Sequence, residues 1–136
     1  RRMKTAFDTD SILFALLNGK ISNKGGVYVG DDRPEDSADE DVVVNTIDLP
    51  QDCLPQIGTS NINIYTADTT KKIKGKMQVS ANRSRLKVLA DEALTIIRNA
   101  NIKGLKVIPG NMSIMYEPTT KQHFVNIRID WNIQIN

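Results

Sequence analysis

Aromatic residues are scarce in this 136-residue chain: one Trp, three Tyr and three Phe. A core of ordinary size must therefore be built from Ile, Leu and Val. There is one cysteine, Cys53, so no disulfide can form within the chain, which fits a reducing cytoplasm or a particle assembled there. There is one histidine, His123, so neither a His pair for zinc nor a His relay is available. No apolar run reaches the roughly 18 residues of a membrane span. The basic start Arg1-Arg2-Met3-Lys4 is not followed by a signal-peptide core, because Asp8 and Asp10 interrupt it. Nucleotide and nucleophile signatures are missing too. There is no GxSxG and no Rossmann glycine pattern. Gly75-Lys76 lacks the flanking residues of a phosphate-binding loop.

What is present is charge, unevenly placed. The net charge is only +2. Yet residues 31–41 (DDRPEDSADED) hold seven acids and one Arg, while residues 71–106 hold ten Lys or Arg against Asp91 and Glu92. Opposite charge in two segments of one chain is raw material for copies that meet head to tail.

The pattern predicts the following elements. TDSILFALLNG (9–19) is a short helix, capped by Thr9 or Asp10 and stopped at Asn18-Gly19, with Ile12, Leu13, Leu16 and Leu17 on one stripe. VYV (27–29) is a short strand. Residues 30–41 are an exposed loop, since Asp, Glu and Pro disfavour strand and like charges repel. VVVNTIDL (42–49) is a strand, 49–60 a long loop, and SNINIYTA (60–67) an alternating strand. DTTKKIKGKMQ (68–78) is a basic loop. SANRSRLKVLADEALTIIRNAN (80–101) is an amphipathic helix with Leu86, Leu89, Ala93, Ile96 and Ala100 on its stripe, widened by Ala90 and Ile97, and Ser80 and Ser84 at its start. Strands follow at 105–108 and 111–117, then a turn at 117–122. The last strand, 123–135, alternates most strongly: Val125, Ile127, Ile129, Trp131, Ile133 and Ile135 share one face. A single α+β domain over 1–136 is expected, with a mostly antiparallel β-sheet, one long and one short helix packed on it, and a C-terminal β-hairpin.

Residue chemistry offers several candidate sites. The acidic stretch fails the calcium-loop spacing: from Asp31, position 3 is Arg33 and no glycine follows. A solvated loop, or one that pairs with a basic surface, is the favoured reading; a looser divalent site is the alternative. His123 has Glu117 and Asp130 near in sequence, but nothing selects them as partners. Cys53 has no CxxC and no nearby His, and reads as a free structural thiol. The lysines of 70–76, extended by Arg83, Arg85 and Lys87, can bind phosphates, but no aromatic platform interleaves with them. No catalytic, cofactor or metal residue is assigned.

The order of elements resembles a known family. GVYVGDDRP before VVVNTI, SNINIYTAD, the single long helix ANRSRLKVLADEALTIIRNA and the closing hairpin NMSIMYEPTTKQHFVNIRIDWNI are together similar to the small tail-completion proteins, or tail terminators, of long-tailed phages and prophages. The likeness spans about 9–135 and lies in order and texture rather than a diagnostic motif. It implies a non-enzymatic α+β protomer that assembles with its own copies into a ring, commonly a hexamer. That ring caps the tail tube protein and offers a surface to the head–tail connector protein, in a virion built in the bacterial cytoplasm. Alternatives are a head–tail connector or neck protein, and a small nucleic-acid-binding protein using 70–87. For the ring, Asp36, Asp39, Glu40 and Asp41 of one subunit are expected to face Lys71, Lys72, Lys74 and Lys76, or Arg83 and Arg85, of the next. Loops 50–59 and 68–78 are further contact candidates.

Overall fold

The computed structural model describes residues 3–135. The elements are α1 (Ala6–Leu17), β1 (Val27–Val29), β2 (Val42–Asp48), β3 (Gln56–Ala67), β4 (Thr69–Ile73), β5 (Lys76–Ser80), α2 (Arg83–Asn99), β6 (Leu105–Glu117) and β7 (Gln122–Ile133). Five strands form one sheet in the order β1-β2-β3-β7-β6. Every pairing in it is antiparallel except β1 with β2. β4 and β5 form a separate two-stranded ribbon. The expected α+β class, the largely antiparallel sheet and the C-terminal hairpin are all present.

Strand alternation builds the core. β7 sends Val125, Ile127, Ile129, Trp131 and Ile133 to one face, where all are buried. Register places Ile62 and Ile64 of β3 beside Ile127 and Val125, and Val44 and Val42 of β2 beside Ile62 and Ile64. Both helices cover this face. Leu13 and Leu17 of α1, with Leu86, Leu89, Ala90, Ala93 and Ile97 of α2, share one apolar cluster with those strand residues. Ala90 and Ile97, expected to widen the α2 stripe, are buried, while Ile96 and the C-cap residue Ala100 are only partly so. The other sheet face is open and carries Asn61, Asn63, Asn126, Arg128 and Asp130.

One polar chain runs through the core. The Trp131 indole N–H donates to Ser60 Oγ (2.7 Å). Ser60 Oγ meets Thr46 Oγ1 (2.8 Å), and Thr46 donates to Asp10 Oδ1 (2.7 Å). Thr46 also meets Thr9 Oγ1 (2.6 Å). Since Thr46 gives its proton to Asp10, Ser60 is the donor to Thr46. The chain runs in one direction from β7 through β3 and β2 into α1, ending on a carboxylate.

Boundaries differ from the pattern-based expectation for local reasons. α1 begins at Ala6 because Thr5 and Asp8 form a capping box; Thr9 is buried inside the helix instead of capping it. α2 is capped by Asn82, whose side chain accepts from the Arg85 N–H (3.2 Å), not by Ser80 or Ser84. The long loop ends at 55, since Gln56 already pairs with Ile133. The stretches 105–108 and 111–117 are one bent strand, with a bulge between Pro109 and Met112. The basic loop 68–78 is largely strand: β4 and β5 join through Lys74 and Gly75, both at positive φ (50° and 79°). That is the geometry of a two-residue hairpin turn, and glycine adopts it without steric cost.

Candidate functional site

The two charged segments emerge at the same end of the sheet. The acidic loop runs directly into the start of β2, which pairs with the end of β3, and the basic ribbon leaves from the end of β3.

The acidic loop is folded around a cation. Arg33, the one base within it, donates from Nε to Asp41 Oδ2 (2.8 Å). Its Nη2 donates to Ser37 O (3.1 Å) and to Gln122 Oε1 (2.7 Å). The guanidinium lies over the Tyr65 ring, 3.9 Å from its centre. Gln122, buried at the start of β7, closes the clamp from the far side. Its Nε2 donates to Ala38 O (2.9 Å) and Asp39 O (3.1 Å), and its Oε1 also accepts from Thr120. All four hydrogen-bonding positions of this amide are used.

Asp41 is only 1% exposed. Besides Arg33 it accepts from the Ser37 hydroxyl and from the Gly26 N–H (3.0 Å). Burial pushes its carboxyl up, but the hydrogen bonds from Ser37, Arg33 and Gly26 outweigh it and hold the group below the usual aspartate value. Gly25 belongs to the same pocket: a Cβ there would lie 2.2 Å from Asp41 Oδ1.

Glu40 is tied to the long helix. Arg85 forks onto it, Nε to Oε2 at 2.8 Å and Nη2 to Oε1 at 2.9 Å, and also donates to Ser22 O (2.7 Å). The Arg85 hydrogen bond keeps the Glu40 carboxyl below its ordinary value despite partial burial, and the Lys24 N–H adds to the effect. Glu40 in turn keeps the Arg85 guanidinium firmly charged. Glu92, further along α2, accepts from the Ser22 N–H and hydroxyl, both at 2.7 Å.

These contacts revise the expected subunit-interface set. Asp41 is buried and Glu40 and Arg85 pair with each other within one protomer, so these three secure the acidic loop rather than reach a neighbour. Asp36, Asp39, Lys71, Lys72, Lys74, Lys76 and Arg83 are exposed. So are Asp31, Asp32 and Glu35. Among the described residues, none of the four ribbon lysines makes an ion pair; the pairs are Arg33–Asp41, Arg85–Glu40, Lys87–Asp91 and His123–Asp68. The ribbon stands clear of the body, with every residue from Thr70 to Val79 exposed. Its register puts Val79 and Met77 beside Thr70 and Lys72 on one side, so apolar surface lies among the lysines.

The other candidates separate in space. His123 Nδ1 lies 2.7 Å from Asp68 Oδ1, which also accepts the His123 backbone N–H; its neighbour is thus Asp68, not Glu117 or Asp130. Cys53 is exposed and unpaired in the loop before β3. Among the described residues no group of three His, Cys, Asp or Glu is placed to hold a metal. A groove of about 420 Å³ lies between α2 and β6 and is lined mainly by Leu86, Ala90, Met112, Ile114 and Val125, with Arg83, Lys87 and Asp91 at its rim.

No protein-family model matches this chain, and no curated protein matches it.

Arg33 and Gln122, the two organisers of the acidic loop, were not singled out from the sequence. A lone Arg within seven acids was the available signal for the first. Gln122 had none, because its role depends on chain brought from 84 residues away.

Proposed function

We propose that this chain is a structural subunit that assembles with its own copies into a closed ring, of the kind that caps a phage tail tube and meets the head–tail connector. One observation carries the reading. A projecting basic ribbon, whose lysines have no acidic partner among the described residues, sits at the same sheet end as a hydrogen-bonded loop presenting Asp31, Asp32, Glu35, Asp36 and Asp39. A head-to-tail contact needs two different patches on one chain, and closure of the rotation turns it into a ring. The exposed pairs supply little affinity, about 0–1 kcal/mol each. They set register and encounter rate, while Ile73, Met77 and Val79 supply apolar contact. Order within the acidic loop limits the entropy lost on docking. On this reading the protein works in the virion and is assembled in the bacterial cytoplasm.

The test is charge exchange. Lys71, Lys72, Lys74 and Lys76→Glu should abolish rings seen by negative-stain microscopy and sedimentation at low salt. Mixing that variant with one carrying Asp31, Asp32, Glu35 and Asp36→Lys should restore assembly. Rings that persist in the first variant at both low and high salt refute the reading.

A second reading, nucleic-acid binding, draws on the same lysines. It is weakened by the engagement of Arg85 with Glu40 and of Lys87 with Asp91, which removes two cations from the 70–87 segment. A gel shift with duplex and single-stranded DNA across a salt series separates the two.

A further inference from the structure

β6 is an edge strand of thirteen residues with no strand on its outer side among the described residues. It exposes Ile108, Met112, Ile114, Met115 and Tyr116, each between 42% and 53%. Long apolar edges invite pairing, and proteins that keep them usually cover them.

The backbone direction follows from two hydrogen bonds. Tyr65 N–H donates to Asp41 O, and Gln134 N–H donates to Gly104 O. Alternation from either bond makes Asn132, Asp130, Asn126, Phe124 and Gln122 the β7 residues that bond to β6. Their partners Lys106, Ile108, Ser113, Met115 and Glu117 therefore point their backbone groups inward. Val107, Pro109, Met112, Ile114 and Tyr116 point theirs outward. Pro109, which has no N–H, sits where no ladder bond within the sheet is lost.

The bulge then decides what this edge fits. Before it, even-numbered residues lie on the open face; after it, odd-numbered ones do. An antiparallel pair needs facing residues on the same face and with the same bonding direction. Because of the shift in parity, the first half of β6 meets both conditions against the second half of another β6. In that register Lys106 faces Glu117, Val107 faces Tyr116, Ile108 faces Met115 and Pro109 faces Ile114, and the two-fold repeats every match. Opposite charges meet at both ends and apolar residues meet between them. Val107 and Tyr116 exchange both ladder bonds, while Pro109 and Ile114 exchange one.

We propose that β6 is a two-fold docking strand that pairs with β6 of a second copy in this register, joining two five-stranded sheets into one. The contact is isologous, so it is separate from the head-to-tail contact of the ring and stands without it.

Ile108 and Met115 give the test. Facing residues that are not hydrogen-bonded lie about 4.5 Å apart at Cα, within disulfide range. Within one strand they are about 24 Å apart and cannot bridge. In a Cys53→Ser background, Ile108→Cys chains and Met115→Cys chains are oxidised separately and as a mixture. The mixture is expected to give a covalent dimer on a non-reducing gel, and each variant alone to stay at the 15.2 kDa band. Lys106→Glu should reduce cross-linking several-fold, and adding Glu117→Lys to the same chains should restore it. Failure of the mixture to cross-link overturns the proposal. So does equal cross-linking by either variant alone, which signals random collision, or capture of β6 only by a different protein.

Discussion

Replacing Arg33 with Ala removes the cation on which the acidic loop is folded. Asp41 then keeps the Ser37 hydroxyl and the Gly26 N–H but loses its only paired charge, while remaining 1% exposed. Breaking a buried pair from one side costs about 3–5 kcal/mol. Arg33 itself is partly exposed, so the lower end applies, about 3 kcal/mol; the lost stacking on Tyr65 adds about 0.5–1 kcal/mol. In a chain of this length that lowers the melting temperature by roughly 10 °C. Urea unfolding at neutral pH measures it, with an unchanged denaturant slope showing that the fold is retained. The pH dependence is a second check. Asp41 is held below its unfolded value, so its contribution is complete above an unfolded aspartate pKa of about 3.9. It is lost as pH falls through the lower folded pKa. The wild-type advantage over Arg33→Ala should therefore shrink in acid, where the uncompensated carboxylate takes up a proton. A cost below about 1 kcal/mol at neutral pH, or one that does not change down to acid, refutes the account of a buried charge held by Arg33.

Arg85→Ala frees Glu40, which is partly exposed, and should cost only about 1–2 kcal/mol; hydrogen exchange should quicken in the acidic loop before anywhere else. Gly75→Val strains a residue at φ 79° by about 1–2 kcal/mol, yet the ribbon makes little contact with the core. Global unfolding should stay in place while limited proteolysis opens the 69–80 segment. Thr46→Val removes the hydroxyl that joins Ser60, Thr9 and Asp10, and about 2–3 kcal/mol should be lost in thermal unfolding. Val with an unchanged melting temperature there means the polar chain adds nothing to stability.

β7 and α2 were legible because their signals are periodic and local: Ile127, Ile129 and Trp131 at spacing two, Leu86, Leu89 and Ala93 at spacing three and four. The ribbon was not, since strands exposed on both sides need no apolar face, and lysines at 71, 72, 74 and 76 hid the alternation. The hairpin signal was the turn at Lys74-Gly75. Three of the ten expected interface residues, Glu40, Asp41 and Arg85, prove to be engaged within the protomer, for a similar reason. Charge in a sequence does not reveal whether it is free, and Glu40 finds Arg85 only across 45 residues of chain.

The sequence by itself determined the α+β class, the two helices and the core face of the terminal strand, because hydrophobic periodicity is fixed by neighbours a few residues apart. Only the tertiary structure decided which charges are spent inside the protomer and which remain for a partner. It alone placed the acidic loop and the basic ribbon at one end of the sheet and left β6 as its edge. Those outcomes depend on strand order and long-range register, which bring together residues that no local pattern links.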